Sequence, residues 1–412
     1  MLRSGRSRRN PDRARSGRVT VSFLSVALSL ALLLGLVVAA EAGGGWQTAA
    51  VAQLNSLEED LSKKEMGLLD MKAQLKEMSQ AEERAGRRYV RRAAFDVGSG
   101  ATKILVADID LHAGMVPSIS KVVFQKKVSI LMSEDLQKSE NTAFGSGILH
   151  ELMETLKEFK REAQANGAEQ FAGAATAAFR KATNGPEFLK QVRAEGIDLK
   201  IISQQQEGSI GFLTATQACP TTAATDLVAW DSGGGSFQIT SVEQGEIRSW
   251  MRSIGSGIAT SVLIEQVQGK SFKTTASPNP VSIPHAQALV RELRKAIGEP
   301  PAWLSVKAQV PGVSVVGIGG DTSIFCLASQ LAAKDAFSKA DVLEGIENLC
   351  GKTDLQLRLM EDTNAAQQQP HNVIPKLVLL YTVMDILGVE QVVNKQTNGN
   401  VPGIMMTSEF WP

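Results

Sequence analysis

The distribution of apolar residues separates a leader, a helical segment and a large folded region. Val19 to Ala40 form an uncharged run of 22 residues, directly after 18 residues that include seven arginines. About 20 apolar residues span the hydrocarbon layer as a helix, whereas the apolar part of a cleaved signal peptide needs about 7 to 15. The length therefore favours a membrane anchor. The small residues of Ala40-Glu41-Ala42 favour a cleaved leader.

Both alternatives direct the chain to a membrane or across one. Arginines beside an apolar span stay cytosolic, so an anchor would place the folded region on the non-cytosolic side. Cleavage would release the chain into a secretory or organellar compartment. A buried core helix is a third alternative, but such helices rarely lie beside so many arginines. Residues 1–45 are thus predicted to be a signal segment or a single-span anchor.

Residues 46–90 carry a heptad pattern. Apolar residues recur at 3-4 spacing over about four heptads, with Lys64 as the one exception. The apolar positions are Leu54, Leu57, Leu61, Leu68, Met71, Leu75 and Met78. The pattern is typical of a coiled coil, and hence of a homodimer, or of one amphipathic helix lying on the folded region. A basic cluster then marks the boundary and is predicted to be a solvated linker: Arg84, Arg87, Arg88, Arg91 and Arg92.

Downstream of this cluster, short β-branched runs alternate with helical stretches, which is typical of an α/β protein. Three predicted strands lead into glycine-rich turns: AAFDVGSGATKILVADID at 93–110, LVAWDSGGGSFQIT at 227–240 and VSVVGIGGDTSI at 313–324. Glycines let backbone N–H groups converge without a Cβ in the way, which suits phosphate oxygens. The duplicated units predict two similar domains, residues 91–225 and 226–412, with the turns facing one cleft.

Two aspartates in equivalent places, Asp96 and Asp231, indicate a divalent cation. Mg²⁺ takes one or two protein carboxylates and completes its shell with water and phosphate oxygens, so metal and phosphate can share a cleft. The alternative is a tight turn in which each aspartate caps local N–H groups. Basic and acidic residues number 43 each, so net charge does not favour nucleic acid. Three cysteines and four histidines form no pattern typical of a disulfide framework or a zinc site.

From Ala93 to about Gly403 the chain resembles the Ppx/GppA phosphatase family, itself similar to the actin-like and sugar-kinase ATPase superfamily. DVGSGATK at 96–103, DSGGGSFQIT at 231–240 and GIGGDTS at 317–323 look like its glycine loops, in the family's order. The resemblance implies two actin-like, ribonuclease H-like domains with a cleft between them. It also implies the phosphate-binding residues Gly98, Ser99, Gly100, Gly233, Gly234, Gly235, Ser236, Gly319 and Gly320.

Two further segments imply the catalytic residues. ATAAFRKATN at 175–184 is similar to the helix start that carries a phosphate-facing arginine, here Arg180, whose fork can hold two phosphate oxygens. IISQQQEGSIGF at 201–212 resembles the segment with the general base that activates the attacking water, here Glu207. Asp96 and Asp231 would hold Mg²⁺. Lys103, on the returning strand of the first hairpin, is predicted to be exposed.

The chain departs from the family pattern at several positions. Gln206 stands where the family has the first of two paired glutamates, and Gln238 where the second loop has a glutamate. Asp321 replaces a threonine or serine of the third loop, and the closing loop lacks an arginine-glutamate pair before its glycine. Since an amide cannot ionise, Mg²⁺ should bind more weakly near Gln238 unless Asp321 or Asp96 compensates.

These features predict a Mg²⁺-dependent phosphohydrolase that cleaves terminal phosphoanhydride bonds of inorganic polyphosphate or guanosine pentaphosphate. The loops do not distinguish the two substrates, because the shape of the groove would select chain length. Two other functions stay open. Gln206 and Gln238 favour a membrane-tethered protein that binds polyphosphate or nucleotide without turnover. An actin-like ATPase or sugar kinase shares the paired loops, but Glu207 and Arg180 favour the hydrolase.

Overall fold

The computed structural model of the protein describes residues 89–113, 117–361 and 363–411. The predicted leader, residues 1–45, and nearly all of the predicted coiled-coil segment, residues 46–90, lie outside these ranges. Within the described ranges, every helix is too short or too polar to cross a bilayer.

Five strands form the first sheet. They are β1 Tyr89–Val97, β2 Thr102–Asp110, β3 Ser118–Val128, β4 Gln170–Ala175 and β5 Asp198–Ile201. Their order is β3-β2-β1-β4-β5, with an antiparallel meander of β1 to β3 and parallel pairing of β1 with β4 and of β4 with β5. The helices in this part are α1 Met132–Lys138, α2 Ser146–Ala165, α3 Ala177–Lys181, α4 Gly185–Ala194 and α5 Gln204–Ala218.

The second sheet repeats this arrangement with one added edge strand. Its strands are β6 Leu227–Ser232, β7 Phe237–Glu243, β8 Glu246–Arg252, β9 Ser314–Gly319, β10 Ala336–Ser338 and β11 Gln391–Gln396. Their order is β10-β11-β9-β6-β7-β8, in which β6 to β8 form the antiparallel meander, β9 pairs in parallel with both β6 and β11, and β10 is antiparallel to β11.

Most of the remaining helices accompany the second sheet. They are α6 Ser256–Val262, α7 Ile283–Ile297, α8 Ala302–Ala308, α9 Ile324–Ala332, α10 Lys339–Leu349, α11 Asp354–Arg358, α12 Asn364–Gln368, α13 Val373–Leu387 and α14 Val401–Met406. A π-helical turn spans Leu263–Val267, and 3₁₀ turns span Ala224–Asp226, Pro370–Asn372 and Ser408–Phe410.

The predicted two-sheet α/β architecture is confirmed. In both sheets a central strand, β1 or β6, pairs with a parallel strand on one side and with its own hairpin partner on the other. Asp96 and Asp231 are each the second-last residue of these strands. Equivalent positions in similar sheets deliver the two carboxylates to equivalent turns. The exact domain limits at residues 225 and 226 stay a prediction.

β1 is covered on both faces, as its mostly apolar sequence requires. Side chains alternate along a strand, so Phe95 and Val97 pack into one core cluster and Ala94 into another. The first cluster includes residues of α2. The second includes α14 and Trp411, which return from the end of the chain to cover the first sheet.

The last two arginines of the basic cluster belong to β1, so the predicted solvated linker is wrong for them. Arg91 forms an ion pair with Asp108 at 2.7 Å. Arg92 is 5% exposed. Its guanidinium lies 4.6 Å from the centre of the Trp411 ring and donates to the Met405 carbonyl at 3.1 Å. An arginine tolerates this burial because its stem is aliphatic and its charge stacks on an aromatic ring.

We predict that Arg92→Met loosens the C-terminal segment from the first sheet. The substitution removes the side-chain donor to the Met405 carbonyl and the cation over Trp411, at a cost of about 1–3 kcal/mol of unfolding free energy. The Tm of the full chain, measured by calorimetry, should therefore fall by several degrees. The matched control, Arg161→Met at an exposed position of α2, should leave Tm unchanged. Equal Tm values for the two variants would contradict this account of Arg92.

Candidate active site

A cavity of about 140 Å³ lies where the glycine turns of the two sheets meet. Its lining includes all the residues predicted to bind phosphate or metal, together with the predicted base: Asp96, Gly98, Ser99, Gly100, Glu207, Asp231, Gly233, Gly234, Gly235, Ser236, Gly319 and Gly320. Arg180 is the one predicted site residue that does not border it. The sequence motifs thus converge on one place in the fold.

The first two turns close in the same way. Gly98 N donates to Ala101 O at 3.0 Å, and Gly233 N donates to Ser236 O at 3.0 Å. These two N–H groups are therefore occupied within the turns. In the described part of the chain, the N–H groups that follow them have no backbone or side-chain acceptor and are left for a phosphate, among them those of Ser99, Gly100, Gly234 and Gly235.

Space for a side chain is scarce where these turns touch their surroundings. A Cβ on Gly235 would lie 3.0 Å from Ser99 Oγ, across the junction of the two sheets. A Cβ on Gly255 would lie 2.4 Å from Gly233 O. The start of α6 supports the second turn from this side, because Ser256 N donates to Gly233 O at 3.0 Å. Close backbone packing therefore fixes the position of the second turn.

Asn400 connects the two aspartates. Its backbone N–H donates to Asp96 Oδ2 at 3.3 Å, and its Nδ2 donates to Asp231 Oδ2 at 2.7 Å. Lys103 Nζ lies 3.2 Å from Asp96 Oδ2 and its side chain is only 17% exposed, so the predicted exposure of Lys103 is wrong. The reason is the register of the hairpin, in which Lys103 of β2 stands directly opposite Asp96 of β1.

Burial perturbs the acids at this end of the cavity. Glu207 is 6% exposed, and burial raises its pKa to about 7 against the opposing effect of Arg180. Burial also raises the pKa of Asp231, and the neighbouring charge of Asp96 adds to this. Burial alone would lower the pKa of Lys103, but Asp96 and Asp231 more than offset this and raise it. Burial, more than any neighbouring charge, therefore opposes the ionisation of Glu207 and Asp231.

A hydrated Mg²⁺ suits this set of donors. Asp96 and Asp231 offer only oxygen ligands, and the described residues contain no cluster of three or more His, Cys, Asp or Glu side chains that could enclose a metal. Mg²⁺ characteristically binds through one or two carboxylates and keeps positions for water and phosphate. A divalent cation beside Asp231 would stabilise its ionised form against the burial that raises its pKa.

Arg180 holds the candidate base. Its Nη1 donates to Glu207 Oε2 at 2.8 Å and to the Ile202 carbonyl at 3.0 Å. Glu207 itself lies in the first turn of α5, whose N-terminus is capped by the Ser203 side chain. The guanidinium thus fixes the orientation of the carboxylate, and the predicted contact of Arg180 with phosphate stays a prediction.

The two glutamines that replace family acids do not border the cavity. Gln206 is exposed and completes a capping box: its Oε1 accepts from Ser203 N at 2.9 Å, and its own N donates to Ser203 Oγ at 3.1 Å. A glutamine fills this position as well as a glutamate. Gln238 is 1% exposed and donates to Ser236 Oγ at 3.1 Å, so it supports the second turn.

The sequence predictions missed several polar residues that line the cavity, among them Asn400, Lys127 and Lys376. Lys376 could have been identified from the sequence, because it is the one charged residue in the apolar run VIPKLVLLYTV at 373–383. Lys127 lies in an ordinary amphipathic strand and Asn400 in a polar turn, so neither stands out. Asp321 does not take the place of an acid at Gln238, because it pairs with Lys127.

Comparison with known proteins agrees with this arrangement. A sequence profile of the Ppx/GppA phosphatase family matches residues 105–392. Exopolyphosphatase 1 of Mycobacterium tuberculosis (strain H37Rv) is 29% identical over 154 residues, which are 37% of this chain and 42% of that protein. The chain thus matches less than half the length of this curated relative.

Two solved structures share the fold. The Aquifex aeolicus PPX-GPPA enzyme superposes with a TM-score of 0.57 at 17% identity, over 77% of this chain and 99% of that one. An exopolyphosphatase from Cytophaga hutchinsonii superposes with a TM-score of 0.59 at 17% identity, over 76% of this chain and 96% of that one. The profile match covers more than half of the sequence, and the chain therefore belongs to the Ppx/GppA phosphatase family.

Proposed function

We propose that the chain is a Mg²⁺-dependent phosphohydrolase that removes terminal phosphate from inorganic polyphosphate or guanosine pentaphosphate, with Glu207 positioning the attacking water. One observation carries the proposal: Glu207 is buried at the cavity, held by Arg180, beside two aspartates and two turns with free N–H groups. The names of the Mycobacterium and Cytophaga relatives, both exopolyphosphatases, favour polyphosphate.

Different residues of the chain bind the phosphate, bind the metal ion and accept the proton. The free N–H groups at 99–100 and 234–235 bind oxygens of the terminal phosphate. Asp96 and Asp231 hold Mg²⁺, which when bound neutralises negative charge on the phosphates. Ionised Glu207 takes a proton from water as the water oxygen bonds to phosphorus. The bond from phosphorus to the bridging oxygen breaks, which yields orthophosphate and a chain one phosphate shorter.

Glu207→Gln should abolish most turnover without preventing substrate binding. The amide keeps the shape and the hydrogen bonding of the side chain but cannot accept the proton, so kcat should fall about 10²- to 10⁴-fold with little change in affinity. Phosphate release from polyphosphate by the full chain is the measurement. Glu154→Gln, on the exposed side of α2, is the matched control and should keep the parent rate. If Glu207→Gln releases phosphate at the parent rate, another group positions the water.

Asp231→Asn should weaken Mg²⁺ binding and the rate together, because a neutral amide is a poorer ligand for a hard cation. The Mg²⁺ concentration for half-maximal phosphate release should rise at least about tenfold. Asp226→Asn, exposed and just ahead of β6, should leave it unchanged. An unchanged Mg²⁺ requirement in Asp231→Asn would contradict the metal assignment. Binding of polyphosphate by the parent chain without release at any Mg²⁺ concentration would instead favour a non-catalytic binding protein.

A further inference from the structure

The cavity has two ends of opposite electrostatic character. Three carboxylates surround Lys103 at the end described above. At the other end the lining contains Lys127 and Lys376, together with Thr322. Asp321 pairs with Lys127, and the lining also contains Glu134, whose carboxylate lies 3.2 Å from His371 Nε2. A substrate with negative charge along its length therefore meets a cation-binding end and a basic end within one cavity.

Lys376 is an ammonium group buried without a carboxylate partner in the described part of the chain. It lies in α13, is 2% exposed, and donates from Nζ to Thr322 O and Gln369 Oε1, each at 2.7 Å. An ammonium carries three donor hydrogens, so one remains for a ligand. The charged and titratable neighbours that act on it are Lys127, Asp321 and Cys326. Burial is the main cause that lowers its pKa to about 7.

Lys376 is the one charged residue in the apolar stretch 373–383 of α13. Its neighbours in the sequence, Ile374, Leu377 and Val378, are buried and apolar. A buried charge without a counter-charge is unfavourable for folding. The position of this ammonium at the cavity therefore favours a bound anion as its counter-charge.

Lys127 reaches the same place from the other sheet. It lies near the end of β3, and its Nζ is 3.2 Å from Thr322 Oγ1. Thr322 thus accepts from Lys127 through its side chain and from Lys376 through its backbone oxygen. Both ammonium groups therefore contact Thr322, and both lysines border the same cavity.

We propose that Lys127 and Lys376 bind a second phosphate group of the substrate, distinct from the one attacked beside Glu207. The inference rests on the proposed function and assigns residues that hold the phosphate chain of the substrate along the cavity. Phosphate oxygens would replace Asp321 as the partner of Lys127 and supply Lys376 with the missing negative charge. Both lysines are then positioning residues for the phosphate chain.

Calorimetric binding of inorganic tripolyphosphate to the full chain tests this proposal. All samples carry Glu207→Gln, so that turnover and the titration of Glu207 do not contribute. Lys376→Met and Lys127→Met should each weaken binding about 10- to 100-fold, as expected for the loss of a charge-assisted hydrogen bond. Lys127→Arg should keep most of the affinity. Lys190→Met, whose parent side chain is 75% exposed, should bind as the parent does.

Proton uptake separates phosphate binding from a purely structural role of Lys376. A bound phosphate raises the pKa of the ammonium above about 7, so the complex takes up a proton when it forms slightly above pH 7. The dependence of the binding heat on the ionisation enthalpy of the buffer gives the number of protons. That number should fall in Lys376→Met and stay the same in Lys190→Met.

Tripolyphosphate affinity that is independent of both lysines, in variants that keep the Tm of the parent, would overturn the proposal. Phosphate release by the protein with Glu207 intact decides the proposed function separately. Release combined with lysine-independent binding would reject only the second phosphate site. Absence of both release and binding would reject both proposals, whereas lysine-dependent binding without release would support the site in a protein that does not turn over.

Discussion

The burial of acidic side chains where the two sheets meet is the constraint on which the rest of the site depends. Asp96, Asp231 and Glu207 border one cavity, and burial raises the pKa of the latter two. The chain offsets part of this with Lys103 and Arg180. A divalent cation bound here would stabilise the ionised carboxylates against this burial and would also neutralise charge on a bound phosphate.

The duplicated sheets serve this arrangement directly. Each central strand brings one aspartate to its end, and each hairpin uses one glycine N–H to close its turn and leaves the next two free. Asn400 then joins the two halves through one backbone and one side-chain hydrogen bond. It comes from the turn before α14, whose helix packs on the first sheet. The end of the chain is therefore part of both the first core and the site.

Local patterns predicted the parts of the structure that depend on neighbouring residues. The glycine turns and the strands before them follow from short stretches of sequence. Residues that act through distant partners were missed or misjudged. Lys103 was predicted to be exposed because its partner, Asp96, is apparent only from the register of the hairpin. Arg92 was predicted to be solvated because Trp411, on which it stacks, lies more than 300 residues away in the sequence.

The departures from the family pattern also show that a sequence motif does not locate a side chain in the fold. Gln206 and Gln238 favoured a binding protein without turnover, because they replace two acids of the family pattern. In the fold, Gln206 caps a helix and Gln238 supports a turn from outside the cavity. Identity at a motif position therefore does not establish that the side chain faces the substrate.

The pH dependence of kcat/KM tests the central claim, that Glu207 is the base, most directly. Glu207 acts only when ionised, so activity should fall as the pH drops through about 7. Arg180 lowers the pKa of Glu207, so Arg180→Met should move this acid limb to higher pH at the same fixed Mg²⁺ concentration. An acid limb that stays in place in Arg180→Met, or that persists in the residual activity of Glu207→Gln, would contradict the assignment of Glu207 as the base.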